Sequence, residues 1–496
     1  MKSDMRKSKQ SLALIWMVAM SGILSAEVTL PSVFSDGMVL QRNSHVPIFG
    51  RAAPGETVTV EFAGQKKTAL VDSSNHWKIM LDPMPASSNP RKLQVSSFEF
   101  QVSFTNVLVG EVWLCSGQSN MEMSMQPFPP WHGGTLNYQQ EIEAATYPEI
   151  RFFYVEKRAS RSPEFTCGGQ WESCRPETAA AFPAVAYFFA RQLHRELNVP
   201  IGVINSSWGS TAIESWMQEE LFVGSFEMIQ KHLRVEKQRR DPDPVNDFSL
   251  PSACYNGLVA PLIPYRIQGV IWYQGEANAA WPVVYQDLFP AMIQSWRKAW
   301  ALPEMPFYFV QLANFDVSGQ PGLTAYNWAR LRQAQFAALE LPHTGMAVAA
   351  DIGDPDNIHP RNKQEVGRRL ALWALADTYG KNISCSGPLF QTLELRGREA
   401  VLHFDHIDGG LVVEGERLDG FIIAGSDRQF VSAEARVEGD TVVVWSPAVN
   451  RPEAVRYGWT DTPVCSLYNE ALLPAAPFRT DSWEKGYSLP ESPGDF

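Results

Sequence analysis

Six apolar runs alternating with helical patterns, all between residues 106 and 384, limit the fold more than anything else in this 496-residue chain. The runs are VLVGEVWLC (107–115), IRFFYV (150–155), IGVINSS (201–207), IQGVIWYQ (267–274), PFYFVQLA (306–313) and TGMAVAAD (344–351). Nearly continuous apolar runs of this length fit strands covered on both faces. Between them, Val185, Phe189, Leu193 and Leu197 recur every four residues and Pro200 follows, which predicts a helix over 184–197. A second helix is expected from Pro360, with Val366, Leu370 and Trp373 on one face. Buried strands alternating with helices imply an α/β fold built on a parallel sheet.

The flanks read differently. Residues 27–105 and 385–496 consist of short β-rich pieces broken by turn signals such as Pro54-Gly55 and Ser73-Ser74-Asn75, which suggests an N-terminal β-sandwich-like module and a C-terminal β-rich region. The expected organisation is therefore 1–26, 27–105, 106–384 and 385–496. The first of these carries Lys2, Arg6, Lys7 and Lys9, then SLALIWMVAMSGIL, then Ser25-Ala26, the order of a signal peptide. Its apolar stretch is too short for an ordinary bilayer span, so an exported product, periplasmic or extracellular and free of the membrane after cleavage, is expected. A net charge of -12 with scattered Lys and Arg offers no basic stripe for nucleic acid. Export would permit Cys167 and Cys174, which flank GGQWES, to close a short loop, although spacing does not establish pairing.

In open α/β sheets ligands sit beyond the carboxyl ends of the strands, so the polar residues placed there are the candidates for chemistry. The first strand yields Gln118, Ser119 and Asn120, the third Asn205 and Gly209, the fourth Gln274, Glu276 and Asn278, and the last Asp351, Asp354, Asp356 and His359. If Ser119 attacks a carbonyl carbon it needs a base, a group to orient that base, and donors for the oxyanion. His359 can serve as the base, and Asp356, three residues earlier, can orient it. Alternatively Asp356 or Asn357 caps the helix and His359 is an ordinary surface residue. The donors expected are the N–H groups of Ser119 and Gly209 with a side-chain amide from Gln274 or Asn278. Glu276 is the acid of a different dyad or, the preferred reading, holds its loop through backbone hydrogen bonds. No CxxC pair or His-rich cluster suggests a metal, and no cofactor is expected.

The blocks GQSNMEM, IGVINSSWGSTAIESWM, YNGLVAPLIPYRIQGVIWYQGEANA and DNIHP resemble successive blocks of the sialate O-acetylesterase family within the SGNH-type serine esterases. The similarity runs from PSVFSDGMVLQR through LPAAPFRTD, nearly the whole mature chain. It implies a three-layer flavodoxin-like SGNH hydrolase core with a parallel sheet, β-rich accessory regions, no metal, and removal of acetyl esters from sugars. By matching position Ser119 is the nucleophile, His359 the base, Asp356 the orienting acid and Gly209 an oxyanion glycine. The third block reads QGEAN where the general pattern has an Asn after a Gly-x pair, so the choice between Gln274 and Asn278 stays open, and WGST replaces the commoner WGGT. Asn120, Glu276 and Trp131 are expected to bind the acetylated saccharide, Trp131 from the loop QPFPPWHGGTLNY (126–138). An α/β-hydrolase would instead show a G-x-S-x-G elbow, but Met121 stands at the last glycine. The alternatives are an esterase for plant polysaccharides such as xylan or xyloglucan, and a non-catalytic carbohydrate-binding protein using some of the sixteen tryptophans.

Overall fold

The computed structural model describes residues 28–98, 100–222, 247–320 and 322–483, so the expected signal segment lies outside the described residues. Its organising element is the strand Gln101–Gly117, which serves two sheets' worth of pairing. The first half pairs antiparallel with Ser87–Ser96 of the N-terminal β region, and the second half runs through the middle of a parallel sheet. The expected boundary at 105/106 therefore falls inside one continuous strand. The physical reason is visible in the burial, which passes from half-exposed at 101–106 to fully buried at 107–117 with no break in the backbone. One hydrophobic core accordingly extends from the N-terminal β region into the α/β part, from Val58 and Leu81 to Trp113 and Trp272.

Across the parallel sheet the order is Thr344–Val348, Phe307–Gln311, Gly269–Tyr273, Gln101–Gly117, Ile201–Ser207, Tyr147–Tyr154 and Trp171–Cys174. All neighbours pair in parallel except the last, an antiparallel edge. Strands earlier and later in the chain thus lie on opposite sides of Gln101–Gly117, whose carboxyl end is the switch point where such sheets bind ligands. The sheet is covered on both faces. Trp113 and Tyr308 meet Phe189 and Trp373 of the helices Ala184–Leu197 and Lys363–Trp373, while Trp272, Phe307 and Phe309 meet Phe289 and Trp296 of the helix Pro282–Ala299.

The helix expected over 184–197 forms over that span, and the one expected from Pro360 starts instead at Lys363. Asn362 decides the start, because its side chain accepts the N–H of Glu365 at 3.2 Å and caps the first turn. The loop before it is left free to present His359. Residues 389–479 form small antiparallel sheets around a second core that includes Leu402, Phe421, Val444 and Tyr457. All six cysteines are free. Cys174 Sγ lies 3.7 Å from the Ala145 carbonyl and Cys167 Sγ lies 3.9 Å from Ser32 Oγ, so the two thiols have separate surroundings and the loop between them is not closed. Among the described residues no helix is long and apolar enough to cross a membrane.

Candidate active site

Gly117 ends the central strand with φ +136°, and a Cβ there would stand 2.2 Å from the Tyr273 carbonyl oxygen. Only glycine permits that approach, which lets the Gln118 N–H donate to Tyr273 O at 3.0 Å and turns the chain sharply. The turn delivers Ser119 as the first residue of a single helical turn, Ser119–Glu122, at the switch point. The N–H groups that head a helix have no partner within it.

A cleft of about 630 Å³ opens over this turn, within the size range of small-ligand sites. Its lining brings together Ser119, Gly209, Asn205, Trp131 and His359, from the ends of two strands and from two loops. The hydroxyl and the imidazole thus face one cavity, although among the described residues no hydrogen bond joins them. Asp356 is not part of this arrangement: it is exposed, and no ion pair or hydrogen bond links its carboxylate to His359. The loop is shaped by its own side chains, with Asp354 Oδ1 accepting the Asp356 N–H at 3.0 Å and Asn357 Oδ1 accepting the His359 N–H at 2.9 Å, and this turns Asp356 toward solvent. The partner of His359 Nδ1 is instead the backbone carbonyl of Trp131 at 3.1 Å. A carbonyl only accepts, so Nδ1 carries the hydrogen and Nε2 keeps its lone pair. Burial chiefly, then the nearby Lys363 charge, lowers the His359 pKa to about 4 against the pull of the Trp131 carbonyl, so the ring is neutral at ordinary pH.

Gly209 sits beside the serine, where an added Cβ would lie 3.4 Å from Ser119 Cβ. Its N–H is already engaged, donating to Glu122 Oε2 at 2.7 Å, and the other oxygen of Glu122 pairs with Lys157. Gln274 and Asn278 do not reach the cleft. Gln274 Nε2 donates to Thr211 O at 3.1 Å and to Asn278 Oδ1 at 2.7 Å, and Asn278 also accepts from Ile213 N and donates to Glu214. The NH2 groups of both amides are engaged in holding the 211–214 segment, because the QGEAN turn points them back into the core. The side-chain amides that do line the cleft are Gln118 and Asn205. Asn120 and Glu276 are likewise buried behind the serine, hydrogen-bonded to each other at 2.5 Å, and do not face the cavity. Trp131 does stand at the cleft, 66% exposed, next to Phe128 at 61%.

Sequence reasoning passed over Glu122, Lys157, Lys363 and the Trp131 carbonyl. Glu122 was legible as a carboxylate one helical turn beyond Ser119, and Lys363 as a lysine four residues beyond His359. A main-chain acceptor has no sequence signal at all.

Fold and site define a class, an α/β protein with a serine and a neutral histidine lining a cleft at the switch point of its sheet. Residues 109–376 match the family model "Carbohydrate esterase, sialic acid-specific acetylesterase". Sialate O-acetylesterase from Rattus norvegicus is 31% identical over 92% of this chain and 94% of that protein, and that from Homo sapiens is 32% identical over 90% and 91%. The crystal structure of a carbohydrate acetylesterase from Xanthomonas citri superposes with a TM-score of 0.83 at 40% identity, covering 92% of this chain and all of that one. The chain belongs to the sialic acid-specific acetylesterase family of carbohydrate esterases.

Proposed function

We propose that the protein removes acetyl groups from O-acetylated sugars through an acetyl-serine intermediate in an SGNH-type site. Ser119 Oγ attacks the acetyl carbonyl carbon while His359 Nε2 takes its proton, and the same nitrogen then protonates the departing sugar oxygen. A water deprotonated at Nε2 attacks the acetyl-Ser119 carbonyl, acetate leaves, and the serine regains its hydrogen. The Trp131 carbonyl holds the imidazole in the required tautomer, the place assigned in the sequence to Asp356. Negative charge on the carbonyl oxygen is met by the Ser119 N–H, by the Gly209 N–H once Glu122 gives it up, and by the amide of Gln118 or Asn205; each such donor contributes roughly 3 kcal/mol of barrier lowering.

The observation that carries this reading is the shared cleft, with Ser119 at the sheet's switch point and His359 tautomerically fixed across it. Phe128 and Trp131 supply exposed aromatic faces of the kind on which sugar rings rest. The test is acetate release from O-acetyl sialic acid and from acetylated xylan by the intact protein and by Ser119→Ala. Release by the former on at least one substrate and its loss in the variant are expected; undiminished release by Ser119→Ala would defeat the assignment. The basic and then apolar start of the chain supports export to the periplasm or the extracellular space.

A further inference from the structure

Directly behind the serine lies a set of polar groups that the reaction as described leaves unused. Lys363, Asn120 and Glu276 are 0%, 2% and 9% exposed, and none of them lines the cleft. Lys363 Nζ donates to Asn120 Oδ1 at 2.6 Å, and Asn120 Nδ2 donates both to Glu276 Oε1 at 2.5 Å and to the Ile358 carbonyl at 2.9 Å. Burying an ammonium and a carboxylate costs several kcal/mol per ion unless each is compensated. Here the two are not in direct contact. They are joined through one amide, and the second oxygen of Glu276 has no partner among the described residues. A network this costly for stability alone calls for another role.

The connectivity indicates that role. Asn120 follows Ser119, Ile358 precedes His359, Glu276 belongs to the turn after Gly269–Tyr273, and Lys363 opens the helix after the histidine loop. We propose that Lys363, Asn120 and Glu276 are positioning residues, a buried strut that fixes the serine turn against the histidine loop and holds a positive charge behind the imidazole. The proposal rests on the acyl-transfer reading given above. It assigns to these residues the alignment of Ser119 with His359, which no direct hydrogen bond between the two provides.

The charges around the strut support it. Lys363 faces Glu276, the Tyr273 ring at 5.3 Å, and on the cleft side His359 and His132, which Glu122 also influences; Arg361 is turned away onto the carbonyls of Gly134 and Thr135. Burial lowers the Lys363 pKa to about 7, with Glu276 pulling the other way, and the ammonium in turn disfavours protonation of His359.

The test compares Lys363→Met, and the charge-neutral double variant Lys363→Met/Glu276→Gln, with the intact protein and with Ser119→Ala on an acetyl ester. For both strut variants kcat is expected to fall roughly 10- to 100-fold with KM little changed, as for a reacting pair slightly misplaced. For Lys363→Met the acid limb of kcat/KM is expected to move to higher pH, which a purely structural lysine would not cause. Wild-type kcat and an unmoved acid limb in a folded Lys363→Met would overturn the strut while leaving the esterase reading intact, whereas an active Ser119→Ala would overturn that reading. Failure of both strut variants to fold would also count against the proposal, by assigning the network to the fold itself.

Discussion

At His359 the neighbours of one ring decide both tautomer and charge. The Trp131 carbonyl places the hydrogen on Nδ1, and burial keeps the ring neutral far below the usual histidine range. In the proposed role of general base His359 works only when unprotonated, so kcat/KM should hold as pH falls past 6.5 and decline only near 4, since the base fraction is lost on going below the folded-state pKa. A pH–rate profile breaking near 6.5 would contradict this. Because Asp356 is exposed and apart from the ring, Asp356→Asn should keep kcat within about threefold of the parent, whereas the buried orienting carboxylate of a Ser-His-Asp triad costs about 10⁴-fold on the same change. That Ser119 and His359 would meet at one cleft was legible in the sequence because each follows, directly or through one loop, a strand of a sheet whose strands could be read. The neighbour of the imidazole was not, since nearness along a loop carries no information on direction, and Asp354 and Asn357 settle that direction locally.

Among the elements, the strand and turn from Gln101 to Glu122 set the site. Gly117→Ala would place a methyl 2.2 Å from a backbone oxygen at a φ that side chains avoid. A loss of at least about 2 kcal/mol is expected, read as a lower midpoint in urea unfolding, with activity falling as the turn shifts. An unchanged midpoint would mean the strand ends elsewhere. The six parallel strands were readable because burial on both faces leaves nearly unbroken apolar runs. The 101–106 half of the central strand was not, because it is half-exposed and polar and reads as the end of a separate module. The start of the last helix was misplaced for a related reason: Pro360 and Asn362 both signal a first turn, and only the hydrogen bond from Glu365 N shows which one caps it.

Over the whole molecule, the C-terminal β-rich region has its own core yet is tied to the α/β part by polar contacts. Asp461 accepts the N–H groups of Tyr326 and Trp328 at 3.0 and 2.9 Å, at the start of the helix Asn327–Gln335. Arg332 on that helix is fully buried and donates to the carbonyls of Thr460 and Asp461. Asp461→Ala should therefore lower stability by about 1–2 kcal/mol, as loss of a helix cap does, seen as a reduced Tm with the acetylesterase reaction preserved below it. No change in Tm would show the contact to be incidental. Such ties between distant parts of the chain leave no local pattern in the sequence, whereas the β-rich character of the region does. The central claim, that Ser119 carries the acetyl group, is tested most directly by acid-quenching the protein during turnover of an acetyl ester and mapping acetylated peptides by mass spectrometry. An acetyl group on Ser119 that is absent from Ser119→Ala is predicted; acetylation at another residue, or rapid turnover with none on Ser119 at any quench time, would contradict it.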